Sequence, residues 1–183
     1  METFPKLSST RLHLRQANNA DIPTLVRYID KSISDQIINF PHPYTEQDAI
    51  DRLAFIQNGF LNKQRYVFAI CLQNNEKLIG EIGLHLNQEN NTAETGYWIA
   101  QPYWGKGIAS EALALAITFG FEQLDLDKIS ATHYLDNMPS GKVLINNGMV
   151  KTAILEDYYM VNNESKAVNQ YQITREQYNS REN

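Results

Sequence analysis

Residues 93–113, AETGYWIAQPYWGKGIASEAL, decide how the rest of the chain is read. Positions 93–100 follow turn residues at 87–92 and read as a strand, with Glu94, Gly96, Trp98 and Ala100 on one face and the intervening residues on the other. Tyr103, Trp104, Gly105, Lys106 and Gly107 form a tight loop. Residues 108–121 then set Ile108, Ala109, Ala112, Leu113, Leu115, Ala116 and Ile117 nearly all round a helix, which marks that helix as buried. A strand that runs through a glycine loop directly into a buried helix makes a seat for a diphosphate. The first helical turn offers free N–H groups and a partial positive charge, and glycine lets a bulky anion reach the backbone with no Cβ in the way.

The flanking sequence sets this unit in a mixed sheet. Residues 65–72, RYVFAICL, are almost wholly apolar and read as a central strand covered on both faces. Turn residues 73–77 lead to a strand at 78–86, and the strand at 93–100 completes two successive hairpins, an antiparallel meander. Nearer the N-terminus, residues 11–15 alternate as a strand with one wet face. Asp21 and Pro23 start a helix carrying Ile22, Leu25, Val26, Ile29 and Ile33. Pro41 and Pro43 force a loop over residues 40–44; Thr45 and Asp48 then make a capping box for a second amphipathic helix through Ala49, Leu53, Ile56 and Phe60, ending near Gly59. Beyond the buried helix, residues 128–135 read as a strand, 139–147 as a short helix with Gly148 just past its end, and 149–157 with 169–174 as closing strands. The polar end, residues 176–183, reads as frayed. The fold class is α+β with one strand–helix–strand crossover in its second half, and residues 1–183 read as one domain.

Composition bounds the function. The 183 residues carry 43% hydrophobic and 20% charged side chains, no repeat and no low-complexity tract, so a core forms without staples. Lys+Arg 16 against Asp+Glu 21 gives a formal net charge of −5, which opposes attraction to a phosphate backbone and argues against a nucleic-acid partner. No apolar stretch approaches the ~18 residues of a membrane span, and METFPKLSSTRLHLR has no secretory apolar core. With Cys71 as the only cysteine, no internal disulfide forms, and four His with one Cys leave little for a structural zinc site. His42 and His85 have no carboxylate or cysteine at ligand spacing, so no metal is assigned, and a reducing cytoplasm is the expected location. Cys71, inside an apolar strand, reads as an inert buried thiol.

Three readings compete for the glycine loop. A Walker loop requires GxxxxGK[ST], and Gly107 is followed by Ile108. A dinucleotide fingerprint finds a near miss in Gly105, Gly107 and Ser110, with Asp136 at the end of the next strand for a ribose. Against it, hairpins precede the loop and only one crossover follows. In the third reading the chain resembles the GNAT superfamily of acetyl-CoA-dependent N-acetyltransferases over nearly its whole length, in the branch of the ribosomal-protein N-terminal acetyltransferases. The segments TRLHLRQANNADIPTL, PHPYTEQDAIDRL, KLIGEIGL, AETGYWIAQPYWGKGIASEAL and NMPSGKVLINNGM carry that resemblance in order. The family's Gln/Arg-x-x-Gly-x-Gly/Ala loop aligns on Trp104, Gly107 and Ala109, with Trp104 a departure from Gln/Arg.

The resemblance implies a twisted, mostly antiparallel sheet with helices on both faces and a β-bulge in the 93–100 strand, which splays from the 128 strand. Pantetheine would lie in that split against the backbone of Ile99, the diphosphate on amides of Gly105, Lys106, Gly107, Ile108 and Ala109, and Asn137, opening an Asn-x-x-Ser segment, would bind the pantetheine arm. Acetyl-CoA is then the donor, and a protein N-terminal amine or a small amine the acceptor, bound by a monomer or homodimer.

Transfer to an amine needs a base for an ammonium of pKa about 8 to 10, while a thiolate leaves tolerably without help. Glu94 is the candidate base, against a structural role as a solvated glutamate beside the turn. Glu81, an acid in an apolar strand, is its rival or an acceptor-binding group, against a structural ion pair. Ser140, where the branch places a serine near the sulfur, is the candidate acid; its plain alternative is a hydroxyl in the first turn of a helix. Leu144 stands where other GNAT enzymes carry a catalytic tyrosine. Phe40, Tyr44 and Tyr97 are candidate walls of the acceptor cleft, although aromatics commonly pack cores, and His133 reads as a core histidine. Two other functions stay open, a catalytically inactive acyl-CoA-binding module and a dinucleotide-binding oxidoreductase.

Overall fold

Eight strands form one sheet in the order β1-β2-β3-β4-β5-β6-β8-β7. The computed structural model describes residues 3–37, 40–161 and 164–181. The strands are β1 (Leu7–Ser8), β2 (Leu12–Gln16), β3 (Arg65–Leu72), β4 (Asn75–Asn87), β5 (Thr92–Ile99), β6 (Lys128–Tyr134), β7 (Val150–Val161) and β8 (Glu164–Thr174). The helices are α1 (Ile22–Tyr28), α2 (Lys31–Ser34), α3 (Glu46–Leu61), α4 (Ile108–Glu122), α5 (Met138–Asn146) and α6 (Arg175–Asn179).

The apolar runs become two cores, one on each side of the sheet. On one face α4, buried along most of its length, packs against Phe68, Ile70, Ile82, Leu84 and Ile129. On the other face α1 and α3 pack Leu25, Leu53 and Ile56 against Val67, Ala69 and Trp98. Thr45 and Asp48 form the expected capping box at the start of α3. Arg15 holds Asp21 through two bonds of 2.9 and 2.8 Å, and Asp21 in turn accepts the Asn18 amide, which pins the turn into α1.

Four expectations are corrected. The helix read through Ile33 breaks after Tyr28, because the Asp30 side chain accepts from the Ser32 and Ile33 amides and starts α2. The closing strands run longer than read, to Val161 and back from Glu164. The end read as frayed from 176 is instead helix α6: Thr174 and Gln177 cap it, and Tyr178 stacks on Phe121 at 4.9 Å, a partner far away in the chain. Finally, the β4–β5 register runs without a shift from Gly80↔Ile99 to Asn87↔Thr92, so β5 has no bulge against β4.

The splay is present and has another origin. β5 and β6 are the parallel pair, joined through α4, and they pair only at Thr92↔Lys128, Ala93↔Ile129 and Glu94↔Ser130. Beyond Glu94 they diverge, leaving the rest of the β5 edge open toward β6.

Candidate active site

A cleft of about 1560 Å³ follows this split, lined by the 103–110 loop at one end and by α3 and the 40–44 loop at the other. Pockets for a single small ligand span about 300–1,000 Å³, so this one has room for two substrates at once.

The loop end leaves the first-turn amides of α4 without a side-chain cap. Gly105 and Gly107 have φ of 71° and 73°, values that favour glycine, and Gly107 caps α4 with no side-chain bond to the first-turn amides. Those N–H groups face the cleft beside Lys106 and Lys142. A carboxylate in the same turn, Glu111, would repel a phosphate if left unpaired. Burial acts to raise its pKa, but bonds from Ser9 and Arg11 outweigh this and hold the carboxyl below its usual range. Arg11 also donates to the Lys106 carbonyl at 3.0 Å, tying the loop to β2. Trp104 turns its indole N–H back onto the Ile99 carbonyl, the same backbone group that pantetheine was expected to meet. A carbonyl has two lone pairs, so the site is shared rather than closed.

At the split, the Tyr97 hydroxyl lies 2.9 Å from Ser140 Oγ and donates to the Ser140 carbonyl at 3.2 Å. Burial pushes the Tyr97 phenol up to about 12 despite that bond, so it stays protonated at neutral pH. Asn137 caps α5 by accepting the Ser140 amide on Oδ1, which leaves its Nδ2 as a donor. Leu144 is fully buried. Tyr97 lines the cleft from the α4 face, opposite Glu94 and Trp98, because strand neighbours alternate.

The α3 face carries the two glutamates. Register sets three rows across β4 and β5: Glu81 beside Trp98, Gly83 beside Gly96, and His85 beside Glu94. Glu94 is half-buried; burial raises its pKa above 4.5, against a bond from Thr132 Oγ1 at 3.3 Å. His85 reaches solvent within the cleft, yet the walls around it, Arg65 and Arg52 push its imidazole down to about 4, so it is neutral at pH 7. Glu81 is 1% exposed, and its Oε2 receives Arg52 Nε at 2.7 Å, Arg52 Nη2 at 2.6 Å and Trp98 Nε1 at 2.8 Å. Phe40 and Tyr44 also line the cleft, with Phe40 under the Arg52 guanidinium.

His85, Arg52, Thr132 and Arg11 were not singled out in the sequence. The hairpin register is the signal for His85, since it sits directly opposite Glu94; nothing local marks the other three. Cys71 is buried, and burial pushes its thiol up to about 11, which keeps it unreactive. His133 lies in the core, Nδ1 against the Tyr134 carbonyl and its ring stacked on Tyr171. Among the described residues no group of three His, Cys, Asp or Glu is placed to hold a metal ion, and no helix is long and apolar enough to cross a membrane.

Residues 11–150 match the acetyltransferase (GNAT) domain model. The chain belongs to the GNAT acetyltransferases. An uncharacterized N-acetyltransferase, p20 of Bacillus licheniformis, is 34% identical over 86% of this chain and 88% of its own. The ribosomal-protein-serine acetyltransferase of Escherichia coli K12 is 27% identical over 93% and 95%. Among solved structures, Mycobacterium smegmatis RimJ in complex with a CoA disulfide superposes with a TM-score of 0.86 at 21% identity, covering 94% of this chain and 88% of that one, which bears on the fold. This GNAT protein is an N-acetyltransferase.

Proposed function

We propose that this GNAT acetyltransferase carries acetyl from acetyl-CoA to a primary amine by direct attack within a ternary complex. The observation that supports it most is one cleft lined by the glycine loop, by the carboxylates of Glu81 and Glu94 and by the β5–β6 split. The diphosphate would lie on the amides of 105–109, and the pantetheine arm in the split beside Ile99 and Asn137. The acceptor enters from the α3 face, by Tyr44 and Glu81.

Glu94 takes a proton from the acceptor ammonium. The amine nitrogen forms a bond to the acetyl carbon, the carbon–sulfur bond breaks, and the sulfur leaves with the electron pair. Ser140, with Tyr97 bonded to it, gives that thiolate its proton and regains one from the acylated nitrogen, which still holds a proton to lose. The proton on Glu94 passes to solvent, so the products are an N-acetyl amine and CoA with a free thiol. A raised pKa suits Glu94 to this work, since a base acts best with a pKa near the working pH.

The test is thiol release from acetyl-CoA over peptides with free N-termini, small amines and amino acids, with the acetylated product identified by mass. Acetylation of at least one amine is the expected result. Acetyl-CoA binding with no acceptor acetylated would instead identify an inactive acyl-CoA-binding module, and binding of NAD without acetyl-CoA an oxidoreductase.

A further inference from the structure

Glu81 has one oxygen with three donors and one with none. Arg52 directs both its Nε and its Nη2 at Oε2, where Trp98 Nε1 also arrives, while Oε1 is buried with no hydrogen-bond partner among the described residues. A buried carboxylate oxygen without a donor is costly, and a native structure keeps few of them. The residue that carries it lines the cleft.

The floor between them is open at Gly96. Gly83 and Gly96 lie opposite each other between the Glu81 and Glu94 rows; a Cβ added to Gly96 would meet nothing within 4 Å, while one on Gly83 would meet His85 Nε2 and Val67 at 3.2 Å. Four residues of strand separate the two rows, ~13 Å along the backbone. The surrounding charge has the same sense. Asp48 and Asp51 line this end along with both glutamates, against Arg52 and, behind His85, Arg65, while Asp35 is paired with Lys31; Lys106 and Lys142 also line the cleft. His85 adds no charge at neutral pH.

We propose that the acceptor is a dicationic amine: one nitrogen reacts beside Glu94, and a second, which stays an ammonium, bonds to Glu81 Oε1 across the Gly83–Gly96 floor. This rests on the acetyltransfer reading above and names its substrate class. A charge-assisted bond from an ammonium fills the vacant lone pair and neutralises the excess carboxylate. Glu81 is thereby a recognition residue, and the base role stays with Glu94.

The test compares α,ω-diaminoalkanes with n-alkylamines and ω-amino acids of equal length, by calorimetric binding to the CoA-loaded protein and by kcat/KM for acetylation. A peptide with lysine at its second position, paired with its alanine counterpart, is a further arm, because it carries the same chemistry in another form. Diamines should bind about tenfold or more tighter than monoamines, with ω-amino acids weakest. In Glu81→Gln the diamine-to-monoamine ratio should collapse toward one, whereas a purely structural Glu81 would weaken both alike and keep the ratio. Equal binding of diamine and monoamine by the unmodified protein overturns the proposal. Selective diamine binding without acetylation would uphold Glu81 and defeat the acetyltransfer reading instead, so the two failures are distinct.

Discussion

The roles proposed for Glu94 and Ser140, which lie on opposite sides of the sheet, predict unequal losses. Glu94 is half-buried with its pKa raised, so as pH falls it takes up a proton earlier than an ordinary glutamate and the acid side of the kcat profile lies above 4.5. Glu94→Gln should lower kcat at neutral pH by about 10²- to 10⁴-fold. Without a base only the free-amine fraction reacts, so the loss should shrink as pH approaches the ~10 of a primary amine. Ser140→Ala should cost less, since a thiolate leaves tolerably without a donor and the Tyr97 hydroxyl stands beside the vacated position. Steady-state rates between about pH 6 and 10, with acetyl-CoA saturating, check both. Equal rates for Glu94→Gln and the parent across that range would remove Glu94 from the mechanism; a larger loss in Ser140→Ala would reverse the ordering.

At the scale of elements, the parts that sequence made legible are those with local causes. The Thr45–Asp48 box, the apolar run of β3 and the all-round apolar helix α4 each need only their own residues. What was missed depends on distant partners: α6 is ordered by Phe121, and the Glu94–His85 row exists only once the β4–β5 register is set. Tyr97 is instructive because strand alternation opposes it to Glu94, and three-dimensional packing then supplies its partner, Ser140. The glycine loop was legible because its requirement is local too. At Gly107 φ is 73°, and a Cβ there would stand 3.5 Å from Arg11 Nη2, the side chain that ties the loop to β2. Gly107→Val therefore places a branched side chain in left-handed backbone, at a cost of about 1–2 kcal/mol, and crowds the amides that would meet phosphate. Isothermal titration should find acetyl-CoA binding lost while circular dichroism retains the fold. Unchanged affinity in the folded variant would show that the diphosphate is held elsewhere.

Over the whole molecule, the cleft lies where the sheet itself divides: β1 to β5 form one part, β6, β8 and β7 the other, and β5 with β6 join them through three residue pairs. A ligand that spans the split adds contacts to both diverging strands, so its binding should be felt by the fold as a unit. Acetyl-CoA reaches from the loop amides to the split, and at about 100 times its dissociation constant it should stabilise the folded state by roughly 2.7 kcal/mol, provided the unfolded chain does not bind it. For a chain of this length that is a melting shift of about 5–10 °C. CoA, which keeps the diphosphate and pantetheine, should give most of the same shift. NAD shares a diphosphate with CoA and has no pantetheine arm for the split, so it should give little. Differential scanning fluorimetry with the three ligands at matched concentrations separates the cases: a shift with NAD equal to that with acetyl-CoA would mean that the loop alone is recognised and that the divergence of β5 from β6 has no part in holding the donor.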